Sequence, residues 1–203
     1  MDFAELAAFT IHDVKNRLAV LASRAEGKGD PEMLHGALEA AASLTRLLAW
    51  YKAEKGSLGI DIDARVPADL LEELAAEVAK QSTLTVSVDC HAAPNLWFYD
   101  ESLIRMVLLS AVYNAMRHAR QCVRLAAVED PQWLEFSVSD DGDGYPEAML
   151  GQSVDMQPLT RPGTGLGLHL AGHVAAMHEN AGLHGAIELS NDNGAVFRLR
   201  LPR

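Results

Sequence analysis

Two runs of apolar residues spaced alternately three and four apart fill the first quarter of this chain. Ala4, Ala7, Ile11, Val14, Leu18, Leu21 and Ala25 make the first, and Leu34, Ala37, Ala41, Leu44, Leu48 and Tyr51 the second. That spacing is the heptad seam of a packed helix. Between them lies EGKGDP, where Gly27 and Gly29 break the first helix, Asp30 caps the second, and Pro31 suits its first turn. The pattern predicts an αα-hairpin. Two such helices cannot bury a continuous apolar seam between themselves alone, so a second copy completing a four-helix bundle is the economical solution and a homodimer is expected. The alternative is that the hairpin packs on the rest of its own chain.

KGSLG at 55–59 separates the hairpin from a segment of mixed texture. Ile60 to Val66 reads as a strand, PADLLEELAAEVAK from Pro67 as an amphipathic helix, and Leu84 to Val88 as a strand. A helix from Glu101 to His118 follows, with Leu103, Val107, Ala111 and Ala115 on its apolar face. Val123 to Val128 and Trp133 to Val138 read as neighbouring strands, and Leu166 to Glu179 as a helix. The closing AIELSNDNGAVFRLRLP reads as a hairpin turning near Asn193 and Gly194. Strands and helices intermix without βαβ rhythm, so the fold class is α+β, a helical hairpin followed by an α/β sandwich.

Composition narrows the function classes. A chain of 203 residues that is 49% hydrophobic builds packed cores, as one large domain or two small ones. A net charge of −11 without a Lys/Arg block argues against a nucleic-acid surface. No apolar run reaches the length of a membrane span, and MDFAELAAFT carries acid where a signal peptide carries base. A cytoplasmic protein with no membrane partner is expected. Cys90 and Cys122 lack metal-ligand spacing and read as core thiols.

Three motifs fall in order along the second half: NAMRHA from Asn114, DDGDGYP from Asp140 and GTGLGL from Gly163. Together they describe an ATP pocket. The Asp140 carboxylate follows an apolar strand and can accept a hydrogen bond from an adenine amino group, while Gly142 and Gly144 let backbone approach a flat base. Asp141 and Asp143 read as solvated turn residues. Gly163, Thr164, Gly165, Leu166 and Gly167 enter a helix, whose N–H groups and dipole favour phosphate oxygens, and Arg161 can reach a terminal phosphate. The Asn114 carboxamide oxygen is a hard ligand suited to Mg²⁺, and Arg117 and His118, close behind it on the helix, can steady phosphates.

With FTIHDVKNRLAVL upstream, the chain resembles the transmitter portion of a bacterial sensor histidine kinase. FTIHDVKN is similar to that family's phosphoacceptor box, NAMRHA to its N box, DDGDGYP and GTGLGL to its glycine boxes, and GAIELSNDNGAVFRLRLP to its terminal hairpin. The resemblance implies a dimerisation and phosphoacceptor hairpin over 1–56 and a Bergerat-type ATP-binding domain over 60–203. It implies that His12, on a heptad flank outside the seam, takes the γ-phosphoryl group from Mg²⁺·ATP. Asp13 is by the same resemblance the general base, and Asn16 the amide that positions water to dephosphorylate a response regulator. The implied partners are the receiver domain of that regulator, a second copy of the chain, and a separate sensor protein, since residue 2 already begins the hairpin helix. Three departures stand out. Ser110 occupies the place of a first N-box asparagine, Pro162 replaces a glycine, and the span from Tyr145 to Pro162 is short. Two other readings share parts of the pattern. One is a histidine phosphotransferase with a degenerate ATPase-like domain. The other is a gyrase-type ATPase or anti-sigma serine kinase, neither of which needs His12.

Overall fold

The computed structural model describes residues 3–80, 82–150 and 165–203, in two compact units, Met1–Leu58 and Gly59–Arg203. The first unit is the hairpin of α1 (Phe3–Lys28) and α2 (Pro31–Glu54). Helix α1 runs through Gly27, and Gly29 ends the turn with φ +65°. That left-handed conformation costs glycine nothing and a β-carbon dearly. The Asp30 carboxylate caps α2 by accepting the Met33 N–H at 3.0 Å.

The contact between the two helices is built from alanine. Ala22, Ala25, Ala37, Ala49 and Ala53 are buried, while Leu18, Leu34, Leu44 and Leu48 stay half-buried. Leu21, expected in the seam, is instead 44% exposed, because neighbouring Ala22 takes the inward position. Small side chains let the axes approach closely, which leaves the larger apolar groups on the flanks.

The second unit carries β1 (Asp63–Arg65), α3 (Pro67–Ala79), β2 (Thr85–Ala92), β3 (Trp97–Tyr99), α4 (Glu101–His118), β4 (Cys122–Glu129) and β5 (Trp133–Asp140). A 3₁₀ turn at Glu147–Met149, α5 (Gly165–Met177), and β6 (Glu179–Asn180), β7 (Leu183–His184), β8 (Ala186–Asn191) and β9 (Ala195–Pro202) complete it. A five-stranded sheet runs in the order β2-β4-β5-β9-β8, with β2 and β4 parallel and the other neighbours antiparallel. Helices α3, α4 and α5 pack on it, giving the expected α+β class. Alternation with period two buries Leu134, Phe136 and Val138 of β5, and the same register carries Asp140 to the buried face at the strand end.

Some elements differ from the sequence expectation. The strand expected over 60–66 is only Asp63–Arg65, paired with the unpredicted β3. The apolar face of α4 is broader than expected and centred slightly differently: Val107 and Ala115 are buried as read, Ile104, Leu108 and Val112 are fully buried beside them, and Leu103 and Ala111 are half-buried. Cys122 is exposed and Cys90 half-buried, so neither is a core thiol. Along β4 alternate residues Val123, Leu125 and Ala127 are buried, which leaves Cys122 on the opposite, outward face.

His178, just past α5, joins two helices. Its Nε2 accepts the Asp100 N–H at 3.0 Å, so Nδ1 carries the proton and donates to the Val174 carbonyl at 2.8 Å. The ring is 2% exposed, and burial pushes its pKa below the ordinary value. Asp100 in turn caps α4 through the Leu103 N–H at 2.9 Å and accepts the Asp61 N–H at 2.9 Å. One buried imidazole thus ties the end of α5 to the start of α4.

Candidate nucleotide site

Asp140 begins the first glycine turn with its carboxylate buried. Among the described residues its hydrogen bonds land on Oδ1, which accepts the Gly142 N–H at 2.8 Å and the Ala195 N–H at 3.3 Å. These bonds orient the carboxylate without using Oδ2.

The turn that follows is walled by backbone. A β-carbon at Gly142 would stand 2.4 Å from the His118 carbonyl oxygen, and one at Gly194 would stand 1.9 Å from the Asp140 carbonyl oxygen. Gly144, at φ +82°, lies against the Asn191 side chain, whose nearest atom is 2.8 Å from the place of a β-carbon. The Tyr145 phenol is half-buried; burial first, and then the charge of Asp140, push its pKa up to about 12. Tyr145 therefore brings a neutral aromatic ring close to Asp140. Its neighbours in sequence do not single it out.

Asp141 is not the solvated turn residue expected from the sequence. Its Oδ1 accepts the backbone N–H groups of Arg120, Gln121 and Cys122 at 2.8, 3.0 and 3.2 Å. Those donors, Gln121 foremost, pull its pKa down to about 2. The carboxylate thereby fixes the chain leaving α4 to the glycine turn. Asp143 is exposed and pairs with Arg120.

Asn114 is half-buried on α4, one helical turn beyond Ser110 and on the same face. Ser110 meets the start of α5: a β-carbon at Gly167 would lie 3.3 Å from its Oγ. Arg117 and His118 are exposed at the end of α4. The C-terminal half of α4 is therefore where the three motifs meet. It carries NAMRHA, abuts the first glycine turn at His118, and abuts the helix after the second glycine motif at Ser110. Gly165, Leu166 and Gly167 form the first turn of α5. Arg161, Pro162, Gly163 and Thr164 lie outside the described residues.

Asp140, buried and anchored through Oδ1, fits a donor such as an amino group at its other oxygen, and Asn114 carries an amide oxygen of the kind a hard cation takes. Among the described residues no group of three or more His, Cys, Asp or Glu side chains could hold a metal ion alone.

In the hairpin unit, His12 lies within α1. Asp13 and Asn16 are exposed on the same stretch of helix. The Asp13 carboxylate pairs with Arg17 at 2.9 Å, in the i,i+4 relation. Both partners are more than half exposed, so the pair is worth at most about 1 kcal/mol and opens readily.

Residues 99–203 match the family model described as "Histidine kinase-, DNA gyrase B-, and HSP90-like ATPase". The signal transduction histidine-protein kinase AfsQ2 of Streptomyces coelicolor is 33% identical over 113 residues, covering 51% of this chain and 20% of that kinase. The chain thus spans about a fifth of that relative. Full-length ShkA, solved in complex with AMPPNP, superposes with a TM-score of 0.71 at 18% identity, over 98% of this chain and 45% of that one. The ATP-binding domain of PrrB from Mycobacterium tuberculosis superposes with a TM-score of 0.56 at 28% identity, over 70% of this chain and 97% of that domain. Among the described residues no helix is long and apolar enough to cross a membrane.

Proposed function

Because the chain belongs to the histidine kinase-, DNA gyrase B- and HSP90-like ATPase family, we propose that it is a histidine protein kinase of a two-component system. The observation that carries this reading is the meeting of three nucleotide motifs around the C-terminal half of α4, in a chain that also presents an IHDVKN helix. The unit from 60 to 203 would bind ATP, and the hairpin from 1 to 56 would supply the phosphoacceptor and the dimer contact. The half-buried leucines and exposed Leu21 are the surface a second hairpin would cover in a four-helix bundle.

In this reading Asp140 accepts the adenine amino group on Oδ2, with Gly142 and Gly144 giving the base its backbone floor. Asn114 holds Mg²⁺, which supplies charge neutralisation at the phosphates. Arg117, His118, Arg161 and the N–H groups at Gly163, Thr164, Gly165, Leu166 and Gly167 steady the phosphate oxygens. One imidazole nitrogen of His12 attacks the γ-phosphorus, the bond to the bridging oxygen breaks, and ADP departs. Asp13, released from Arg17, takes the proton from the other ring nitrogen. The phosphoryl group then passes to a receiver aspartate of a response regulator. Asn16, one turn from His12, would orient water for the reverse signal, dephosphorylation of that regulator.

The test is incubation of the full chain with γ-labelled ATP and Mg²⁺. The reading requires an acid-labile label that is absent from His12→Gln and Asn114→Asp. An acid-stable label overturns it in favour of a serine kinase. No label from ATP, with label gained from a phosphorylated receiver domain, makes the chain a phosphotransferase.

A further inference from the structure

We propose that Asn191, on the closing hairpin and outside all three nucleotide motifs, is a positioning residue that holds the base-binding turn in its binding shape. The proposal rests on the reading of the Asp140 turn as the adenine site.

A side-chain amide carries one acceptor and one donor edge, so it can imitate a peptide in a β-bridge. Asn191 does this with Tyr145: its Oδ1 accepts the Tyr145 N–H at 2.7 Å, and its Nδ2 donates to the Tyr145 carbonyl at 2.9 Å. Gly144 makes the approach available, since a β-carbon there would fall 2.8 Å from Asn191 Cγ and Oδ1. The same hairpin reaches the other end of the turn. Asn191 pairs in register with Ala195, whose N–H binds Asp140 Oδ1, and Gly194 lies against the Asp140 carbonyl.

The six residues from Asp140 to Tyr145 are thus gripped at entry and exit by one β-hairpin. At the exit the grip is a side chain, and it can be removed without touching the backbone of either strand. Asn191 is exposed, so its loss opens no cavity. What is lost is the two-point hold on Tyr145. The turn then spends part of its time in shapes that cannot seat the base, and apparent affinity falls by that fraction. Asn114 and His12 are unaffected, so the rate at saturating ATP holds.

The experiment compares wild type, Asn191→Ala and Asn191→Leu, the last branched at the same carbon and without hydrogen-bonding atoms. Asn193→Gly, at the tip of the same hairpin, is the control. ATP·Mg²⁺ binding by calorimetry, autophosphorylation kinetics and amide exchange at Tyr145 are measured on the full chain. Both Asn191 variants are expected to raise Kd and KM for ATP by roughly tenfold with kcat retained, as two net hydrogen bonds are lost. The Tyr145 amide should lose its protection while Asn193→Gly matches wild type. The proposal is overturned if both variants bind ATP within about twofold of wild type, if kcat falls along with affinity, or if Asn193→Gly behaves alike. A wild-type chain that binds no ATP overturns the kinase reading and this role together. Normal binding with indifferent Asn191 variants overturns this role alone.

Discussion

Replacing His178 with alanine removes the join between α4 and α5, and the structure sets the size of the effect. The Asp100 N–H loses its buried acceptor at 3.0 Å, and an orphaned buried donor costs about 1–3 kcal/mol. Truncating a ring that is 2% exposed leaves a void. At about 24 cal/mol per Å³ and roughly 60 Å³, that adds about 1.5 kcal/mol. The sum is about 2.5–4.5 kcal/mol, or a fall in Tm of roughly 5–18 °C for a domain of this size. Urea and thermal unfolding of His178→Ala, with exposed His184→Ala as control, measure it. The linkage has a definite sign, because burial holds the His178 pKa below its ordinary 6.5. The unfolded chain therefore binds the extra proton, and stability present above pH 6.5 is lost as pH falls toward the folded-state value. His178→Ala should lack this component. A loss below about 1 kcal/mol, or identical slopes in variant and wild type between about pH 7 and 5, would refute the reasoning.

Gly142→Ala should destabilise the second unit by about 1–3 kcal/mol and weaken ATP binding, because its β-carbon meets the His118 carbonyl at 2.4 Å; unfolding and calorimetry read both. Asp141→Asn should flatten the acid limb of stability. The carboxylate's depressed pKa of about 2 contributes fully above its ordinary 3.8, and the contribution disappears as pH falls toward 2. Acid titrations of the variant and wild type, followed by circular dichroism, decide it. Leu21→Asp, on an exposed flank of α1, should shift sedimentation toward monomer while leaving ATP affinity intact. An unchanged sedimentation coefficient speaks against the four-helix bundle.

Patterns that repeat along the chain were legible before the structure. Heptads gave both hairpin helices, Asp30 and Pro31 their junction, and period two gave β4, β5 and the closing hairpin. Helix α4 runs over Glu101–His118 as read. What escaped depends on partners distant in sequence. β3 has three residues and becomes a strand through pairing with β1. On α4, Val107 and Ala115 are legible as core, but Ile104, Leu108 and Val112 join them because contacts with α3 and α5, absent from a single helix's periodicity, widen the buried face. An aspartate advertises an acceptor but not whose N–H it receives, so the hold of Asp141 on residues twenty positions upstream could not be seen. The same holds for His178 and Asn191, whose neighbours in sequence say nothing of Asp100 or Tyr145. DDGDGYP marked the cradle but left Tyr145 unassigned, since the nearness of its ring to Asp140 arises only when the turn closes.

The wall of main chain around the first glycine turn limits how this cleft can change. At positions 142 and 194 a β-carbon would meet main chain, and Gly144 holds φ +82° against the Asn191 side chain, so substitution at these glycines strains the turn and does not reshape it. If the turn seats a nucleobase as proposed, retuning it would act through Asp140 and Tyr145, the two places where a functional group replaces bare peptide. A library randomised at those two codons therefore tests base selection with the turn intact, while one aimed at the glycines tests the fold of the turn itself.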